Sequence, residues 1–505
     1  MKKSITLLLF VLTTIINAKT LIVGLDSDLY SYQTMQSAAI EATPGDTIIM
    51  TGGIYPEAEY IENLIGEDDA PIYILAQDGD SVIYRGANQA IHFVQLENVI
   101  ISGLIFEGQT VNGVNIDDGG TYETPSRNIV ITNCHWLGMN AIDNNDELKL
   151  SCVDNFNINN CTFSNGSVGG SLVDMVGCHN GYFQDNVFEN GGSNCIQAKG
   201  GTSDIRIERN MFINGGLRAI NIGGSTGLQY FRPLGVDYEA QNINVYANIF
   251  IGSQAPIAYV GAVNCNVVNN TIVNPDKWAI RILQESVEGF QPCGDNAFVN
   301  NICYLNNSNP NWTLNISGNT APETFFFANN LWFNFEDESW TGPNLPVVEE
   351  NGIIGENPLF SNIDENDFVL SEGSPAIGTG YYNPQKIHPA IRDFNNEIFK
   401  NPPSIGAIES YLVSVDDILK VSGGLLIYPN PATEKLCFKI PDNSLACDVT
   451  IYSLKGERIL SKSFTNNSDN DIISIETKDV KASGSYLIVL RSNKALFSEI
   501  IQIIK

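Results

Sequence analysis

The sequence is poor in charge, and positive charge is especially scarce. Only 17% of the 505 residues are charged, and 57 acidic side chains outnumber 27 basic ones, which gives a formal net charge of -30 at pH 7. A chain this acidic is repelled by a phosphate backbone, so we expect no nucleic-acid partner. Because 43% of the residues are hydrophobic, the chain is nevertheless globular rather than disordered.

Signatures of zinc sites and of disulfide frameworks are also missing. The four histidines are scattered along the chain, and no two cysteines have the CxxC spacing. The ten cysteines do not have the pattern of a small disulfide-rich domain. Cys437 and Cys447 flank a predicted turn and are candidates for a disulfide, with Cys293 and Cys303 as a weaker candidate pair.

Long apolar runs are absent beyond the N-terminus. There, Lys2 and Lys3 precede an apolar run at 5–16, and Asn17-Ala18 follows as a small-residue cleavage site. This is the pattern of a secretory signal peptide. A membrane anchor is the alternative, but the run is short for a bilayer. We predict a signal peptide at 1–18, no transmembrane segment and an extracellular monomer.

The main positive feature of the sequence is a repeat with a step of 22–38 residues. Its units are NCHW (133–136), NCTF (160–163), DNVF (185–188), RNMF (209–212), ANIF (247–250), NNTI (269–272), NNIC (300–303) and NNLW (329–332). Each unit carries a short alternating strand, a turn rich in Asn and Gly, and a second short strand, without helical periodicity. Such repeats predict an all-β solenoid, the parallel β-helix, in which each coil buries its apolar face against the next.

Two columns of residues follow from stacking these units. The last positions are mostly aromatic, and the positions two residues earlier are Cys134, Cys161, Asn186, Asn210, Asn248, Asn270, Asn301 and Asn330. We predict an asparagine ladder, because buried amides need hydrogen-bond partners and the next coil supplies them. The two cysteines are predicted to be neighbouring buried thiols. An amphipathic helix at about 33–42 is predicted to cap the first coil.

The opening of the chain resembles secreted right-handed β-helix proteins, including polysaccharide lyase family 6, the chondroitinase-B and alginate lyase family. The matching stretches are AAIEATPGDTIIMTGGIY, PIYILAQDG and VIISGLIFEG. The resemblance implies a right-handed solenoid, here at 19–411, and cleavage of uronic-acid polymers by β-elimination. In that family a lysine on one coil is the base and an arginine lies on the next. Lys199 in CIQAKGG matches the lysine; the arginine would fall near Asn221, and Arg218 is the candidate to replace it.

The C-terminal segment closely resembles the sorting domain of the type IX (Por) secretion system. YPNPATEKL, VTIYSLKGE and GSYLIVL carry this resemblance. It implies a small β-sandwich at 424–505 after a linker at 412–423, with the type IX secretion machinery as a partner. The mature protein would be released or attached at the cell surface. An ordinary carbohydrate-binding sandwich is the alternative interpretation.

Basic residues gather between positions 190 and 285, where seven basic side chains meet six acidic ones. Strand alternation predicts that several polar residues of successive coils point outward into one groove, with the insertion 225–241 beside it. Lys199 and Arg218 are the candidate catalytic residues. The candidate substrate-binding residues are Asp174, Gln197, Asn221, Tyr230, Arg232, Glu239, Arg281 and Glu285. Arg206 and Arg209 lie on another strand and are interpreted as solvated charges, with Glu208 or Asp204 as candidate ion-pair partners.

Calcium is the one cofactor that the sequence suggests as a candidate. The calcium-binding glutamates of the resembling family would precede the lysine, where this chain has GGSN at 191–194. Acidic loops at 117–118 and at 143–147 lie about one coil apart and are alternative calcium ligands. Solvated turns are the competing interpretation, and we assign no metal ligand.

Three functions remain open for a protein of this kind. The first is a lyase that cleaves an extracellular polysaccharide, for which Lys199, Arg218, Arg232, Glu239 and Arg281 should converge in one cleft; scattered positions would count against an enzyme. The second is a non-catalytic glycan-binding or adhesion protein, because a fold does not determine a function. The third is a glycoside hydrolase, which needs two carboxylates about 5–9 Å apart. Asp174, Glu239 and Glu285 are the outward candidates.

Overall fold

The computed structural model describes residues 18–56, 58–306, 313–410, 427–439, 446–453, 458–465, 472–480, 482–492 and 496–504. The predicted signal peptide, apart from its last residue, and the predicted linker at 412–423 lie outside the described residues. None of the helices in the described ranges is long and apolar enough to cross a membrane.

Residues 20–354 form a right-handed parallel β-helix with three long sheets, here called A, B and C. Strands of one sheet pair in parallel with the equivalent strands one coil away, as 179–184 does with 202–208. The sequence predicted two strands in each unit, but the structure has three. The difference arises because the aromatic column itself forms sheet B, whose strands have only two to four residues, too few for a visible alternation.

The strands of each sheet follow one another in chain order. Sheet A contains Thr20–Val23, Thr47–Met50, Ile72–Ala76, Glu97–Ser102, Ser126–Thr132, Val153–Asn159, His179–Gln184, Thr202–Glu208, Ala240–Gln241, Asn244–Tyr246, Ala262–Val263, Asn266–Val268, Ala297–Val299 and Phe326–Ala328. Sheet B contains Gly53–Tyr55, Val82–Arg85, Leu104–Glu107, His135–Trp136, Thr162–Ser164, Val187–Glu189, Met211–Ile213, Ile249–Ile251, Thr271–Val273, Ile302–Leu305, Leu331–Asn334 and Ile353–Ile354. Sheet C contains Glu59–Glu62, Ile91–Val94, Val114–Asp117, Leu148–Ser151, Ser171–Val176, Asn194–Lys199, Arg218–Gly223, Ile257–Val260, Ile280–Leu283 and Leu314–Ile316.

The core of the solenoid is built from columns of identical side-chain types. Phe163, Phe188, Phe212 and Phe250 are fully buried, and successive rings stack with centroids 4.8–5.0 Å apart. This distance is the spacing of neighbouring strands, so each coil places its ring directly on the previous one. The column predicted from the repeat is therefore confirmed.

The asparagine ladder is also confirmed. The Asn210 side chain donates to Asn248 Oδ1 at 3.0 Å, and the same contact repeats from coil to coil as far as Asn330. Asn330 then donates to Glu349 Oε1 at 2.7 Å, so a carboxylate that the sequence did not reveal terminates the ladder. Every rung is buried and satisfied, which explains the abundance of Asn without any catalytic role.

The first coil is capped by the helix Met35–Ala39, which is shorter than the predicted helix. Thr34 is its N-cap, and its hydroxyl accepts a hydrogen bond from Ser37 N at 3.1 Å. Met35 and Ala38 are fully buried and belong to the main apolar core. The helix therefore covers the apolar end of the solenoid, as expected.

The segment after the last coil leaves sheet C uncovered. Within 355–410, Ala390 and Phe399 pack on the outer side of sheet A, and Phe368 packs on sheet B. This segment contains a hairpin of Phe360–Asn362 with Asp367–Leu370. Short 3-10 turns occur at Leu228–Tyr230, Pro322–Thr324, Ile363–Glu365 and Thr477–Asp479. Among the described residues, the tail packs on two of the three faces, so the third is available for a ligand.

The C-terminal part forms two antiparallel sheets. One contains Ile427–Tyr428, Lys435–Lys439 and Ile472–Glu476, and the other contains Ala446–Ser453, Arg458–Thr465, Gly484–Ser492 and Leu496–Ile503. Leu436 and Phe438 from the first sheet share one apolar cluster with Val449 and Ile488 from the second. Two sheets that bury a common core form a β-sandwich, as predicted.

All ten cysteines are buried free thiols. The suggested pairs Cys437–Cys447 and Cys293–Cys303 are therefore wrong. These thiols pack as small apolar side chains in the solenoid and in the sandwich core, so neither domain uses a disulfide. Cys134 and Cys161 follow each other in the column that the asparagines continue, and burial raises the pKa of the Cys134 thiol to about 12.

A buried carboxyl group inside the solenoid leads to a stability prediction. Glu147 is 1% exposed, and neither carboxyl oxygen has a partner in good hydrogen-bond geometry among the described residues. The backbone N–H groups of Gly138 and Ser164 lie close enough to favour the ionised form weakly, but burial outweighs them. Burial raises the pKa of Glu147 well above its ordinary value. The unfolded chain therefore releases this proton first, and stability present below about pH 4 is lost as the pH rises towards the folded pKa.

We expect Glu147→Gln to raise the free energy of unfolding by about 1–3 kcal/mol near neutral pH. The gain should shrink as the pH falls towards about 4, where the wild-type carboxyl is protonated in both states. Urea unfolding at several pH values measures this difference. Exposed Glu123→Gln is the matched control and should change little. If Glu147→Gln is less stable than the wild type at neutral pH, the ionised carboxylate takes part in an interaction that stabilises the folded state.

Candidate functional site

One row of outward side chains crosses all ten strands of sheet C. In register order it is Tyr60, His92, Asn115, Lys149, Asp174, Gln197, Asn221, Ala258, Arg281 and Asn315. The inward neighbours, such as Ile196 and Ala198, are fully buried in the core. Strand alternation thus places a polar row on the outside of the uncovered sheet.

Two lysines and two aspartates form a network at the centre of this row. Lys149 Nζ contacts Asp146 Oδ2 at 3.3 Å and also contacts Asp174 Oδ2. Lys199 Nζ lies 3.1 Å from Asp174 Oδ1 and donates to Gln197 Oε1 at 3.3 Å. The aspartate side chains are 1–3% exposed, whereas those of Lys149 and Lys199 are 22% and 14% exposed. The carboxylates therefore lie beneath the ammonium groups.

The two aspartates have opposite pKa shifts. Burial opposes ionisation of Asp174, but the charges of Lys149 and Lys199 outweigh it and lower the pKa of this carboxyl. Burial, together with the neighbouring charge of Asp174, raises the pKa of Asp146. Although burial disfavours its charge, Lys149 lies between two carboxylates, which raise the pKa of its ammonium group. Asp174 is thus the ionised anchor of both lysines.

Next to this network, two arginines lie two strands apart on the same sheet. The strand of Ala258 separates the strands of Arg218 and Arg281, and Arg218 is three residues before the row position of Asn221. Ala258 is short and fully buried, and the surface above it between the two arginines is here called the notch. The Arg218 guanidinium donates to Asn221 Oδ1 at 3.2 Å and pairs with Glu285 Oε1 at 3.1 Å. No carboxylate in the described ranges pairs with Arg281. Burial and the nearby charge of Arg218 lower the pKa of Arg281.

The indole ring of Trp278 supports the arginine notch. Arg281 lies over it with its guanidinium carbon 4.6 Å from the ring centroid, and Lys277 Nζ lies 4.1 Å from the same centroid. Arg281 Nε donates to Asn315 Oδ1 at 3.0 Å, which fixes the side chain through Nε. Cation–π contacts hold positive groups without neutralising them. The notch is therefore suited to an anion.

The insertion 225–241 is anchored by residues that the sequence assigned to substrate binding. Glu239 is fully buried, and its carboxylate accepts hydrogen bonds from Gly200 N, Thr226 and Ser286. Glu239 is therefore occupied in holding the loop behind Lys199 and does not reach the groove. Thr226 donates through both N and Oγ1, so four hydrogen bonds use both oxygens and the role of Glu239 is structural.

Arg232 holds the other side of the insertion. Its guanidinium pairs with Asp154 of sheet A at 2.5 Å and donates to Gly177 O at 3.1 Å. Burial opposes ionisation of Asp154, but hydrogen bonds from Arg232 and His179 lower the pKa of this carboxyl to about 2. Arg232 therefore faces sheet A and not the sheet C groove, which corrects the expected convergence.

The other predicted residues divide into two groups. Lys199, Gln197, Arg218, Arg281 and Glu285 lie on the sheet C face in two clusters. Lys199 and Gln197 contact each other above Asp174, and Arg218 pairs with Glu285; the strand of Arg281 is three strands from that of Lys199. Asn221 is in register with them but is fully buried, with its amide donating to Gly223 O. Tyr230 lies on the insertion and is 58% exposed. Arg206 and Arg209 both contact Glu208, which is one of the two partners that the sequence suggested. Arg209 also contacts Asp185 and is buried rather than solvated.

Sequence reasoning missed Lys149, Asp146 and Trp278. A signal for Lys149 was present, because LKLS alternates like the other strands of sheet C and places this lysine one coil before Asp174. Asp146 was considered only as a calcium ligand. No group of three or more side chains suited to a metal occurs in the part of the chain that the structure describes. Asp118 instead accepts from Gly120 N at 2.8 Å and also bonds Tyr122 N.

Comparison with known proteins identifies the C-terminal part. Residues 426–505 match the family described as a secretion system C-terminal sorting domain. No curated protein sequence matches the chain. The sorting-domain match confirms the predicted identity of the sandwich and places the protein at the cell surface or in the extracellular space.

Several solved β-helix structures are similar to this chain. An alginate lyase from Paenibacillus sp. str. FPU-7 is 16% identical, with 66% of this chain and 99% of that chain covered and a TM-score of 0.38. The pectate lyase Pel9A is 14% identical, with coverage of 77% and 96% and a TM-score of 0.39. The complex of XylC with xylose is 11% identical, with coverage of 76% and 96% and a TM-score of 0.47. The chain is a secreted or cell-surface parallel β-helix protein with a type IX secretion sorting domain.

Proposed function

We propose that this protein binds an acidic polysaccharide along the sheet C face and cleaves it by β-elimination. The observation that carries the proposal is the layering of charge on this face. The ammonium groups of Lys149 and Lys199 lie above their buried carboxylate partners, and Arg281 has no carboxylate partner in the described ranges. A locally cationic groove on a protein with a net charge of -30 concentrates anionic ligands at one place.

β-Elimination on a uronic-acid unit needs a cation at the carboxylate, a base for the C5 proton and an acid for the leaving oxygen. Arg218 is assigned to the carboxylate of the reacting unit, since guanidinium groups bind carboxylates bidentately. Arg281 lies three strands from Lys199, about 14 Å at the strand spacing, and is assigned to the carboxylate of a neighbouring unit of the polymer. The C5 proton passes to Lys199, the C4–O4 bond breaks as the C4–C5 double bond forms, and O4 receives a proton from Lys149.

The two lysines receive different roles because they are held differently. Lys149 contacts two carboxylates, which raise the pKa of its ammonium group and keep the proton that the leaving oxygen needs. Lys199 pairs with Asp174 Oδ1, but that oxygen has no partner in hydrogen-bond geometry. Lys199 is therefore the less tightly held of the two. Its ammonium group first gives a proton to solvent, and the free amine then accepts the C5 proton of the substrate.

Hydrolysis is a second candidate, and one observation favours it. Asp146 and Asp174 contact the same ammonium group, and their pKa values are shifted in opposite directions. Pairs of carboxyl groups with this property act as acid and base in glycoside hydrolases. Because both groups are buried beneath lysines, β-elimination remains the better supported proposal.

The proposal is tested by incubating the full chain with alginate, polygalacturonate and chondroitin, each with calcium or with a chelator. We expect ultraviolet absorbance from an unsaturated sugar product with at least one polymer. New reducing ends without that absorbance would indicate the Asp146 and Asp174 hydrolase. Retained binding without any product would indicate the non-catalytic glycan-binding protein.

Arg281→Ala is expected to weaken binding of the cleaved polymer about 10- to 100-fold, because an ionic contact to a desolvated carboxylate is lost. The effect should fall as ionic strength rises, since salt screens the remaining contacts. Affinity electrophoresis in gels that contain the polymer, run at several salt concentrations, measures the affinity and its dependence on ionic strength. The matched control is Arg127→Ala, an exposed arginine of sheet A that pairs with Glu97. Equal effects of the two changes would contradict the assignment of the notch.

A further inference from the structure

A second cleft lies on the outer side of sheet A, well away from the sheet C groove around the coil. It has a volume of about 220 Å³. Tyr182, Arg206 and Asn244 occupy one outward row of neighbouring strands and form its floor, and Asn180 and Asp204 lie at its side. His388, from the segment after the last coil, overhangs the floor. The cleft therefore forms where the covering tail ends and the bare sheet begins.

Aromatic rings provide an open flat surface in this cleft. Tyr182 is 43% exposed, which is unusual for a ring in the middle of a sheet. Tyr246 is buried beside it, and the Arg206 guanidinium covers its ring with the guanidinium carbon 5.0 Å from the centroid. Tyr246 is fixed by a hydrogen bond from its hydroxyl to Asn244 Oδ1 at 2.8 Å. Of the two tyrosines in the cleft, Tyr182 therefore presents the exposed ring face that can pack against a ligand.

The polar groups around that ring are held in place by neighbours. Asp204 accepts from Ser203 Oγ at 2.7 Å and from Asn242 Nδ2 at 3.1 Å. Arg206 is bound through Nε by Glu208, which leaves its terminal nitrogens as donors. The amide of Asn180 is exposed at the edge of the cleft. A rigid set of donors and acceptors around one ring is the usual composition of a small-ligand site.

The charge of the cleft selects the kind of ligand. The Arg206 charge is balanced by Glu208, and Asp204 adds a further negative charge, so the cleft repels anions. This is the opposite of the sheet C face, where positive charge is in excess. A sugar ring offers an apolar C–H face for Tyr182 and hydroxyl groups for Asp204 and Arg206 without carrying a charge of its own.

We infer that the sheet A cleft binds a neutral sugar unit of an oligosaccharide, with Tyr182 as its platform. The site does not depend on the proposed cleavage at sheet C, because the two clefts share no residue. A neutral sugar held on a second face would keep the protein on a mixed polysaccharide while the acidic chain occupies sheet C. Linked sites of this kind raise the apparent affinity for a polymer.

The test uses the full chain and three neutral probes, cellohexaose, xylohexaose and mannohexaose, with hexagalacturonate as the anionic counterpart. Titration calorimetry should show saturable binding of at least one neutral probe. Tyr182→Ala is expected to lower that affinity about tenfold, and Tyr182→Trp should retain it, because the platform is kept. Binding of hexagalacturonate should be unchanged in both variants. Melting temperatures confirm that the variants are folded.

Tyr60→Ala is the matched control, because Tyr60 is 46% exposed and lies on sheet C. It should leave binding of the neutral probe unchanged. Two results would overturn the inference: no saturable binding of any of the three neutral probes, or binding that Tyr60→Ala lowers and Tyr182→Ala does not. Neither result bears on β-elimination, which is measured on acidic polymers.

Discussion

Lys199→Ala should lower the turnover of the cleaved acidic polymer about 10²- to 10⁴-fold, which is the usual contribution of a positioned general base. Binding of the polymer should change only a few-fold, because Lys149, Arg218 and Arg281 still supply positive charge to the face. Initial rates from ultraviolet absorbance and affinities from gel electrophoresis separate the two effects. The expected result is thus a loss in kcat with a nearly constant Kd.

The control for this change is Lys386→Ala, which removes an exposed lysine that pairs with Glu350. It should not alter the rate. Lys199→Arg adds a second test, because arginine keeps the charge but does not lose its proton near neutral pH. If Lys199→Arg is as active as the wild type, Lys199 acts only through its charge and is not the base.

Asp174→Ala is expected to lower the free energy of unfolding by about 3–5 kcal/mol, because two ammonium groups lose their buried counter-charge. It should also abolish activity, since both lysines lose the group that orients them. Asp174 has a lowered pKa in the folded state, so its contribution is present above about pH 4 and is lost as the pH falls. The difference between variant and wild type should therefore shrink in acid.

Urea unfolding of both proteins over a range of pH values measures this contribution. Glu107→Ala is the matched control, because Glu107 pairs with Arg85 at the surface. This change should lower the free energy of unfolding by less than about 1 kcal/mol. A cost for Asp174→Ala as small as that of the control would mean that the lysines find other partners. A pH-independent difference would mean that the Asp174 side chain stabilises the fold through packing rather than charge.

Much of the fold could be read from repetition. The step from Phe163 to Phe188 to Phe212 matches one coil, and ring stacking at the strand spacing follows directly from it. The ladder from Asn186 to Asn330 has the same origin. Sheet B was not foreseen as a sheet, since two to four residues are too few for alternation to be visible.

The candidate site was only partly accessible to the same reasoning. The outward direction of Lys199 and Arg281 follows from alternation within one strand, and their common face follows from the coil period. The partners of Glu239 and Arg232 could not be foreseen, because the insertion has no period. Arg232 pairs with Asp154, 78 residues earlier in the chain. Its contacts depend on the path of the loop.

The coil, its stacked columns, the strand alternation that turns Lys199 outward and the sorting motifs are all encoded locally in the chain. These properties are local or repeat from coil to coil, so each unit carries its own information. Three other features became visible in the folded molecule alone. The tail leaves sheet C open, Asp146 and Asp174 lie beneath two lysines, and the Glu239 carboxylate is hydrogen-bonded to the insertion. These outcomes depend on contacts between distant, non-repeating segments, whose partners no local pattern specifies.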